Sequence, residues 1–146
     1  KNFMNAIRSY FEKYVTISDE DWDFFSSKLI KREFPKNSNL IRIGQKENYL
    51  SFIEKGVIRF YVPYENKDIT FSFAFAGSFA SAYDYFLTQK PSEYELETIT
   101  ETILWSVSYK DLQEIYSQTK LGDRIGRFAA EELFLKKTSI RNKFFR

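Results

Sequence analysis

The sequence contains neither cysteine nor histidine among its 146 residues. Without cysteine there can be no disulfide and no thiolate metal site, and without histidine the commonest zinc ligand and the usual catalytic base are both missing. We therefore predict no metal site, no catalytic residue and no cofactor. No nucleophile and base pair or phosphate-binding loop can be assembled from the remaining residues, which argues against an enzyme.

The sequence also has little net charge and no long apolar run. A net charge of +2 gives no electrostatic reason to expect binding to nucleic acid or to an acidic membrane. The locally basic stretch is C-terminal and comprises Lys136, Lys137, Arg141, Lys143 and Arg146. No apolar run approaches the ~18 residues of a membrane span, and no signal peptide is visible. We therefore expect a cytoplasmic protein that does not associate with membranes.

Aromatic residues are abundant, at 19% of the chain, with 16 Phe and 10 Tyr. Aromatic side chains favour strands and bury large areas, so this bias indicates a small, β-rich core filled by rings. A length of 146 residues is that of one ordinary domain with appendages.

The first part of the chain has helical periodicity. Apolar residues recur at helical spacing over Phe3–Tyr14, and Ser18 followed by Asp21 resembles a capping box that opens a second helix. The inward side of that second helix is predicted to carry Trp22, Phe25 and Leu29.

The period then changes to two. The predicted strands are Leu40–Ile43, Tyr49–Ile53, Val57–Val62, Ile69–Phe75, Tyr94–Ile99 and Ile103–Val107. Their regular spacing is typical of a sandwich or barrel. We predict a hairpin loop over Tyr64–Asp68 and a short helix over Ala80–Leu87, and we expect Ser108 to cap a helix over Tyr109–Tyr116.

The last segment, Leu121–Phe145, is predicted to be one long amphipathic helix. Its apolar stripe contains Ile125, Phe128, Ala129, Leu133 and Ile140. A small domain cannot cover a stripe of this length, so a partner helix and a homodimer are expected. No Gly or Pro stop signal follows the helix, from which we expect the natural polypeptide to continue.

Three sequence segments carry a family resemblance: FPKNSNLIRIGQ over Phe34–Gln45, FIEKGVIRFY over Phe52–Tyr61 and AGSFASAYDYF over Ala76–Phe86. In these the chain resembles the sensor half of Crp/Fnr transcription regulators. The resemblance implies a mainly β fold with flanking helices, a double-stranded β-helix or jelly-roll-like β-roll. It further implies turn glycines at Gly44 and Gly56.

The same resemblance implies a domain plan. N-terminal helices would occupy residues 1–28, the β-roll residues 29–108, and C-terminal helices, including the dimerisation helix, residues 109–146. A helix-turn-helix DNA-binding domain would be absent from this chain.

The phosphate cassette is where the chain departs from the family. Members that bind cyclic AMP resemble Gly-x-Phe-x-Gly-Glu, a short helix, then Arg-Ser, in which the helix N-terminus and the Arg hold the phosphate and the Glu holds the ribose. The corresponding residues in this chain are Gly77, Ser78, Phe79, Ser81, Ala82, Ser92 and Glu93. Ser81 replaces the second Gly, Ala82 replaces the Glu, and Ser92–Glu93 stands where Arg-Ser is expected. With YFLTQKPSEYELE over Tyr85–Glu97, the cassette resembles a divergent Bacteroidetes branch.

Several other side chains allow two interpretations. Arg59 either points into the roll as a counter-charge for an anionic ligand or lies on a solvent-exposed strand face. The alternating Glu93, Glu95 and Glu97 are predicted to be solvated strand-face charges. The aromatic residues near the cassette are predicted to pack in the core, with ligand stacking as the alternative; they are Tyr83, Tyr85, Tyr94 and Trp105.

The leading functional hypothesis is an effector-sensing and dimerisation domain of a Crp/Fnr-type regulator that does not use cyclic AMP. It would bind an unknown small-molecule effector and contact DNA only through the missing domain. One alternative is a cyclic-nucleotide-binding domain with an unorthodox phosphate site. The other is a ligand-free structural dimerisation module.

Overall fold

The computed structural model describes residues 2–13 and 15–121. The dimerisation helix predicted over Leu121–Phe145 therefore lies outside the described residues, except for Leu121. The same is true of its stripe residues Ile125, Phe128, Ala129, Leu133 and Ile140.

Two helices precede the strands: α1 spans Asn2–Glu12 and α2 spans Asp19–Ser27. The predicted cap is present, because the Ser18 hydroxyl accepts the backbone N–H of Asp21 at 3.1 Å. Helix α2 ends two residues before Leu29, yet Leu29 is buried as expected.

Eight strands follow, and every pair of neighbours is antiparallel. They are β1 (Ile30–Phe34), β2 (Asn39–Ile41), β3 (Tyr49–Lys55), β4 (Val57–Tyr64), β5 (Lys67–Phe75), β6 (Phe79–Ala80), β7 (Glu95–Thr98) and β8 (Thr102–Ser108). They form two four-stranded sheets, in the orders β1-β8-β3-β6 and β2-β7-β4-β5. This arrangement confirms the mainly β, jelly-roll fold predicted from the sequence.

Within residues 15–121, two further helices interrupt or follow the strands. Helix α3 spans Tyr83–Thr88, and α4 spans Tyr109–Gln118 with its predicted cap, in which the Ser108 hydroxyl accepts the N–H of Asp111 at 3.0 Å. The predicted start of α3 at Ala80 is wrong, because Ala80 pairs with Ser51 in the β3–β6 ladder.

Two of the strands, β1 and β6, were not predicted from the sequence. The sequence of β1, IKREF, carries three charged residues in five, which hides its period of two. It lies at the edge of its sheet and pairs only with β8. An edge strand tolerates charged side chains that a central strand would exclude.

Two clusters of buried side chains hold the domain together. The first, here the helix-side core, joins the helices to the outer face of the β1-β8-β3-β6 sheet; it includes Phe11, Phe25, Phe52, Phe79, Phe86, Leu112 and Ile115. The second, here the roll interior, lies between the two sheets; it includes Ile41, Ile53, Ile58, Phe60, Leu96 and Leu104. Strand β3 is buried on both faces because Leu50 joins the first cluster and Ile53 the second.

The tight turns lie where the sequence predicts them. Glu65 and Asn66 form the turn between β4 and β5, with Glu65 at φ 53°. The turn glycines Gly44 and Gly56 have φ of 89° and 110°, a backbone conformation that glycine adopts at low cost.

Candidate ligand site

The cassette begins with a turn that is fastened to β3. The N–H of Gly77 donates to the carbonyl of Ile53 at 2.8 Å, and the N–H of Ile53 donates to the carbonyl of Ser78 at 3.0 Å. The Ser78 hydroxyl donates to the carbonyl of Phe75 at 2.8 Å. These bonds fix the chain path into β6, and the Ser78 hydroxyl is engaged within its own turn.

The next cassette residues are buried. The Phe79 ring lies 4.3 Å from that of Phe52, centroid to centroid, within the helix-side core. The Ser81 hydroxyl donates to the carbonyl of Tyr49 at 2.9 Å. Ala82 is fully buried and precedes the first turn of α3. These three residues thus pack in the core or bond to the backbone.

The side chain of Glu47, which was not predicted to be a site residue, bonds to the backbone at the start of α3. Its Oε2 accepts the N–H of Ala82 at 3.0 Å, and its Oε1 accepts the N–H of Tyr49 at 3.2 Å. The residue is 7% exposed, and burial raises the pKa of Glu47. The amide of the residue that precedes the cassette helix is therefore bonded to a carboxyl group of the chain itself.

The two residues at the position of the family's Arg-Ser pair, Ser92 and Glu93, supply no cation. Ser92 is buried, and its hydroxyl donates to the carbonyl of Tyr94 at 2.6 Å. Its backbone joins the Gly44 turn, since the N–H of Gly44 donates to the carbonyl of Ser92 at 2.9 Å. Glu93 is exposed, and burial together with Glu93 raises the pKa of Tyr85 to about 12. The structure thus brings Gly44 and Ser92 together without a positive side chain at Ser92–Glu93.

Arg59 alternates along β4 with Ile58 and Phe60, which belong to the roll interior, so its side chain projects from the other face of the sheet. There its guanidinium donates to Glu97 at 2.8 Å and to Asp68 at 2.9 Å. It also stacks over the Tyr61 ring, with Cζ 3.8 Å from the centroid. The position matches the strand-face interpretation of Arg59.

The prediction that the alternating glutamates are solvated is wrong for Glu95, which is 9% exposed. Its Oε1 accepts the hydroxyl of Tyr61 at 2.7 Å, and its Oε2 accepts the N–H of Ile43 at 2.9 Å. Tyr61 on the adjacent strand β4 and Ile43 in the loop after β2 thus provide donors that replace water around the carboxylate.

Aromatic rings fill the roll interior next to the cassette. The Tyr94 ring lies 5.3 Å from Phe71, 5.5 Å from Tyr85 and 6.3 Å from Phe60, centroid to centroid. Burial raises the pKa of Tyr94. Tyr83 is also buried, and Trp105 packs against the helix-side core with its indole N–H donating to Glu54 at 2.6 Å. These contacts agree with the predicted core packing.

Arg32 on β1 is a charged side chain that faces the roll interior, and its position was not predicted from the sequence. It lies opposite Leu104, and Leu104 lies opposite Ile53, both members of that cluster. Because directly opposed residues share a sheet face, Arg32 shares the inner face. The alternation of Ile30, Arg32 and Phe34 was the signal that could have found it.

Two further findings bear on the kind of site. Within residues 2–13 and 15–121, no group of three or more metal-ligating side chains is placed to hold an ion. None of the helices in this described part is long and apolar enough to cross a membrane.

Several solved structures share this fold. A cyclic nucleotide-binding domain from Methylobacillus flagellatus KT has 17% identity and a TM-score of 0.81, covering 98% of this chain and 83% of that one. The c-di-GMP responsive global regulator CLP from Xanthomonas campestris has 19% identity and a TM-score of 0.69, covering 88% and 66%. The catabolite activator protein of Thermus thermophilus has 14% identity and a TM-score of 0.71, covering 89% and 61%. At these identities the likeness establishes a common fold.

Comparison at the level of sequence gives the family. No curated protein matches the chain. The model of the cyclic nucleotide-binding domain family matches residues 31–119, from β1 to the end of α4. Since this match extends over more than half of the 146 residues, the chain belongs to the cyclic nucleotide-binding domain family.

Proposed function

We propose that this chain is the effector-sensing and dimerisation domain of a Crp/Fnr-type transcription regulator whose effector is not cyclic AMP. The chain spans about two thirds of CLP and of the Thermus catabolite activator protein. The remaining third in our proposal is a helix-turn-helix domain that contacts DNA, and the homodimer forms through Leu121–Phe145. The domain acts by binding and not by catalysis. Assignment to the Bacteroidetes branch rests on the cassette residues and stays a prediction.

The observation that carries the proposal is the bond between Glu47 and the amide of Ala82, at 3.0 Å. In members that bind cyclic AMP, this end of the cassette helix faces the cyclic phosphate. A phosphate entering here would have to displace a carboxyl group that is 7% exposed. If it did, two acidic groups would share one buried site, which is unfavourable whenever both are ionised.

The missing cation supports the same conclusion. Ser92 and Glu93 stand where the family has Arg-Ser, and Arg59 is held on the other sheet face by Glu97 and Asp68. A charge-assisted hydrogen bond contributes about 1.5–3 kcal/mol. Losing both the Arg and the ribose-binding Glu would therefore weaken cyclic AMP binding by about two to four orders of magnitude.

In the proposed mechanism, effector binding shifts the population between two arrangements of the C-terminal helices. Helix α4 is well placed for this because Leu112 and Ile115 are fully buried in the helix-side core. An ion pair of 2.7 Å between Lys28 and Glu114 also joins α4 to the end of α2. A change in the roll would thus reach Leu121 and the segment beyond it.

The ligand-free structural module remains a second candidate because of the ring cluster in the roll interior. Phe60, Phe71, Tyr85 and Tyr94 pack with centroid separations between 5.3 and 6.3 Å. Rings at these distances are in mutual contact. In this alternative the chain's own side chains take the volume that a nucleotide base would need.

Titration calorimetry with cyclic AMP and cyclic GMP tests the proposal. We expect no dissociation constant below about 10 µM, and a tighter value would instead support an unorthodox cyclic-nucleotide site. Glu47→Ala should increase any weak affinity, because it frees the amide of Ala82. Glu101→Ala is the matched control, since it removes an exposed carboxylate from outside the cassette and should leave the affinity unchanged.

A thermal-shift screen of small metabolites separates the sensor from the structural module. A ligand at 100 times its dissociation constant adds about 2.7 kcal/mol to the unfolding free energy. A sensor should therefore show a clear increase in melting temperature with its effector. A structural module should respond to none.

A further inference from the structure

The guanidinium of Arg32 lies at the edge of the roll interior, half-buried between two aromatic rings. Its Cζ is 4.0 Å from the ring centroid of Tyr49 and 5.0 Å from that of Phe34. Its hydrogen bond to the hydroxyl of Ser106 is long, at 3.5 Å. The rings hold the guanidinium in place while most of its five N–H donors keep their capacity to bind.

Arg32 differs in its charge environment from the two other arginines that are half-buried in the described part of the chain. Those two each form ion pairs with two carboxylates: Arg8 with Glu12 and Asp19, and Arg59 with Asp68 and Glu97. Arg32 forms no ion pair within 4.0 Å among the residues that the structure describes. Burial lowers the pKa of Arg32, and the nearby carboxyl group of Glu47 offsets this effect only in part.

Arg32 lines a groove of about 400 Å³ between β1 and the loop that connects β2 to β3. The loop contributes exposed polar side chains from Gln45, Lys46 and Asn48, and Leu40 adds an apolar wall. The groove has the size of a small-molecule site. Its polar lining therefore offers several hydrogen-bond donors and two positive charges.

Glu47 is the acidic residue that lines the groove, and its charge acts on Arg32 without an ion pair within 4.0 Å. Its two carboxyl oxygens accept the backbone N–H groups of Ala82 and Tyr49, at 3.0 and 3.2 Å. Glu47 therefore adjoins both the groove and the cassette, while none of the cassette residues Gly77–Glu93 lines the groove.

We propose that this groove binds a small organic carboxylate, with Arg32 as its anchor. The planar fork of an arginine matches a carboxylate through two parallel hydrogen bonds. Lys46 supplies the second positive charge, so an acid with two carboxylates binds better than one with a single carboxylate. This inference stands on the groove itself and is independent of the regulatory proposal.

Calorimetric titration of the chain at low salt with succinate and glutarate tests the inference, with acetate and inorganic phosphate as comparison ligands. We expect a dissociation constant below about 1 mM for at least one of the two diacids and weaker binding of acetate. Arg32→Gln should weaken diacid binding by about tenfold or more. Arg42→Gln is the matched control, because it removes the same charge from an exposed residue that does not line the groove, and it should change the affinity less than about twofold.

Three results would overturn the inference: no diacid binding at millimolar concentration, equal binding by the Arg32→Gln variant, or tighter binding of phosphate than of both diacids. If the Arg32→Gln variant does not fold, Lys46→Gln decides the question. Lys46 is exposed, so its replacement should leave the far-UV circular dichroism spectrum intact. Unchanged diacid affinity in that folded variant would count against the groove.

Discussion

Replacing Gly56 with alanine should destabilise the domain far more than the same change at Gly44. Both glycines have positive φ, at 110° and 89°. A methyl group at Gly56 would clash with the Thr102 hydroxyl and lie 2.7 Å from the Glu101 carbonyl oxygen and 2.9 Å from the Thr102 Cα. At Gly44 the same methyl group would meet nothing within 4 Å.

The two positions therefore separate backbone strain from steric clash. A left-handed backbone costs a non-glycine residue about 1–2 kcal/mol, and both variants incur that cost. Overpacking adds about 1–3 kcal/mol at Gly56 alone, because two of its three close neighbours are backbone atoms that cannot rotate away. We expect Gly56→Ala to lose about 2–5 kcal/mol of unfolding free energy and Gly44→Ala about 1–2 kcal/mol.

Urea unfolding followed by the fluorescence of Trp22 and Trp105 measures this difference. The slope of free energy against urea should be the same in both variants, so that the midpoints report stability. A total stability of about 5–15 kcal/mol leaves a measurable folded baseline. Equal destabilisation of the two variants would refute the argument that the β3–β4 turn excludes a side chain at Gly56.

The remaining predictions concern pH and assembly. Burial raises the pKa of Glu47, so the carboxyl group binds its proton more tightly in the folded protein than in the unfolded chain. This tighter binding stabilises the fold at low pH, and the stabilisation is lost as the pH rises through the folded pKa. Glu47→Gln, which does not titrate, should therefore flatten the decline of urea midpoint above about pH 4.5, the ordinary range of the group; parallel profiles for the two proteins would contradict this. Leu133→Asp should shift the chain from dimer towards monomer in sedimentation at tens of micromolar, because a buried unpaired charge costs several kcal/mol. A wild-type chain that sediments as a monomer would exclude the proposed dimer.

Features set by neighbours in the sequence were predicted well. The Ser18 and Ser108 caps and the Glu65–Asn66 turn depend on contacts within a few residues. Local hydrogen bonds and side-chain periodicity determine such features, so a single sequence carries them. The family resemblance added the β-roll and the turn glycines.

For the cassette, the sequence predicted which residue types are present but not what they contact. The sequence shows that Ala82 lacks the expected carboxylate and that Ser92 lacks the expected cation. It does not show that Glu47, 35 residues before Ala82, caps the cassette helix. That bond exists because the sheets bring the loop before β3 against the start of α3.

The positions of the charged side chains could not be predicted from the sequence alone. The alternation of Glu93, Glu95 and Glu97 predicts that Glu95 is solvated. Its carboxylate instead accepts the N–H of Ile43, 52 residues away in the sequence. Arg32 faces inward, although the charged residues of its edge strand give no sign of an inward face. Arg59 faces outward, although an inward position is also compatible with the sequence. The sequence by itself determined the local elements and the family, since both depend on residue type and spacing. Only the tertiary structure decided which charges are buried and what they bind, because burial depends on side chains that folding brings together from distant parts of the chain.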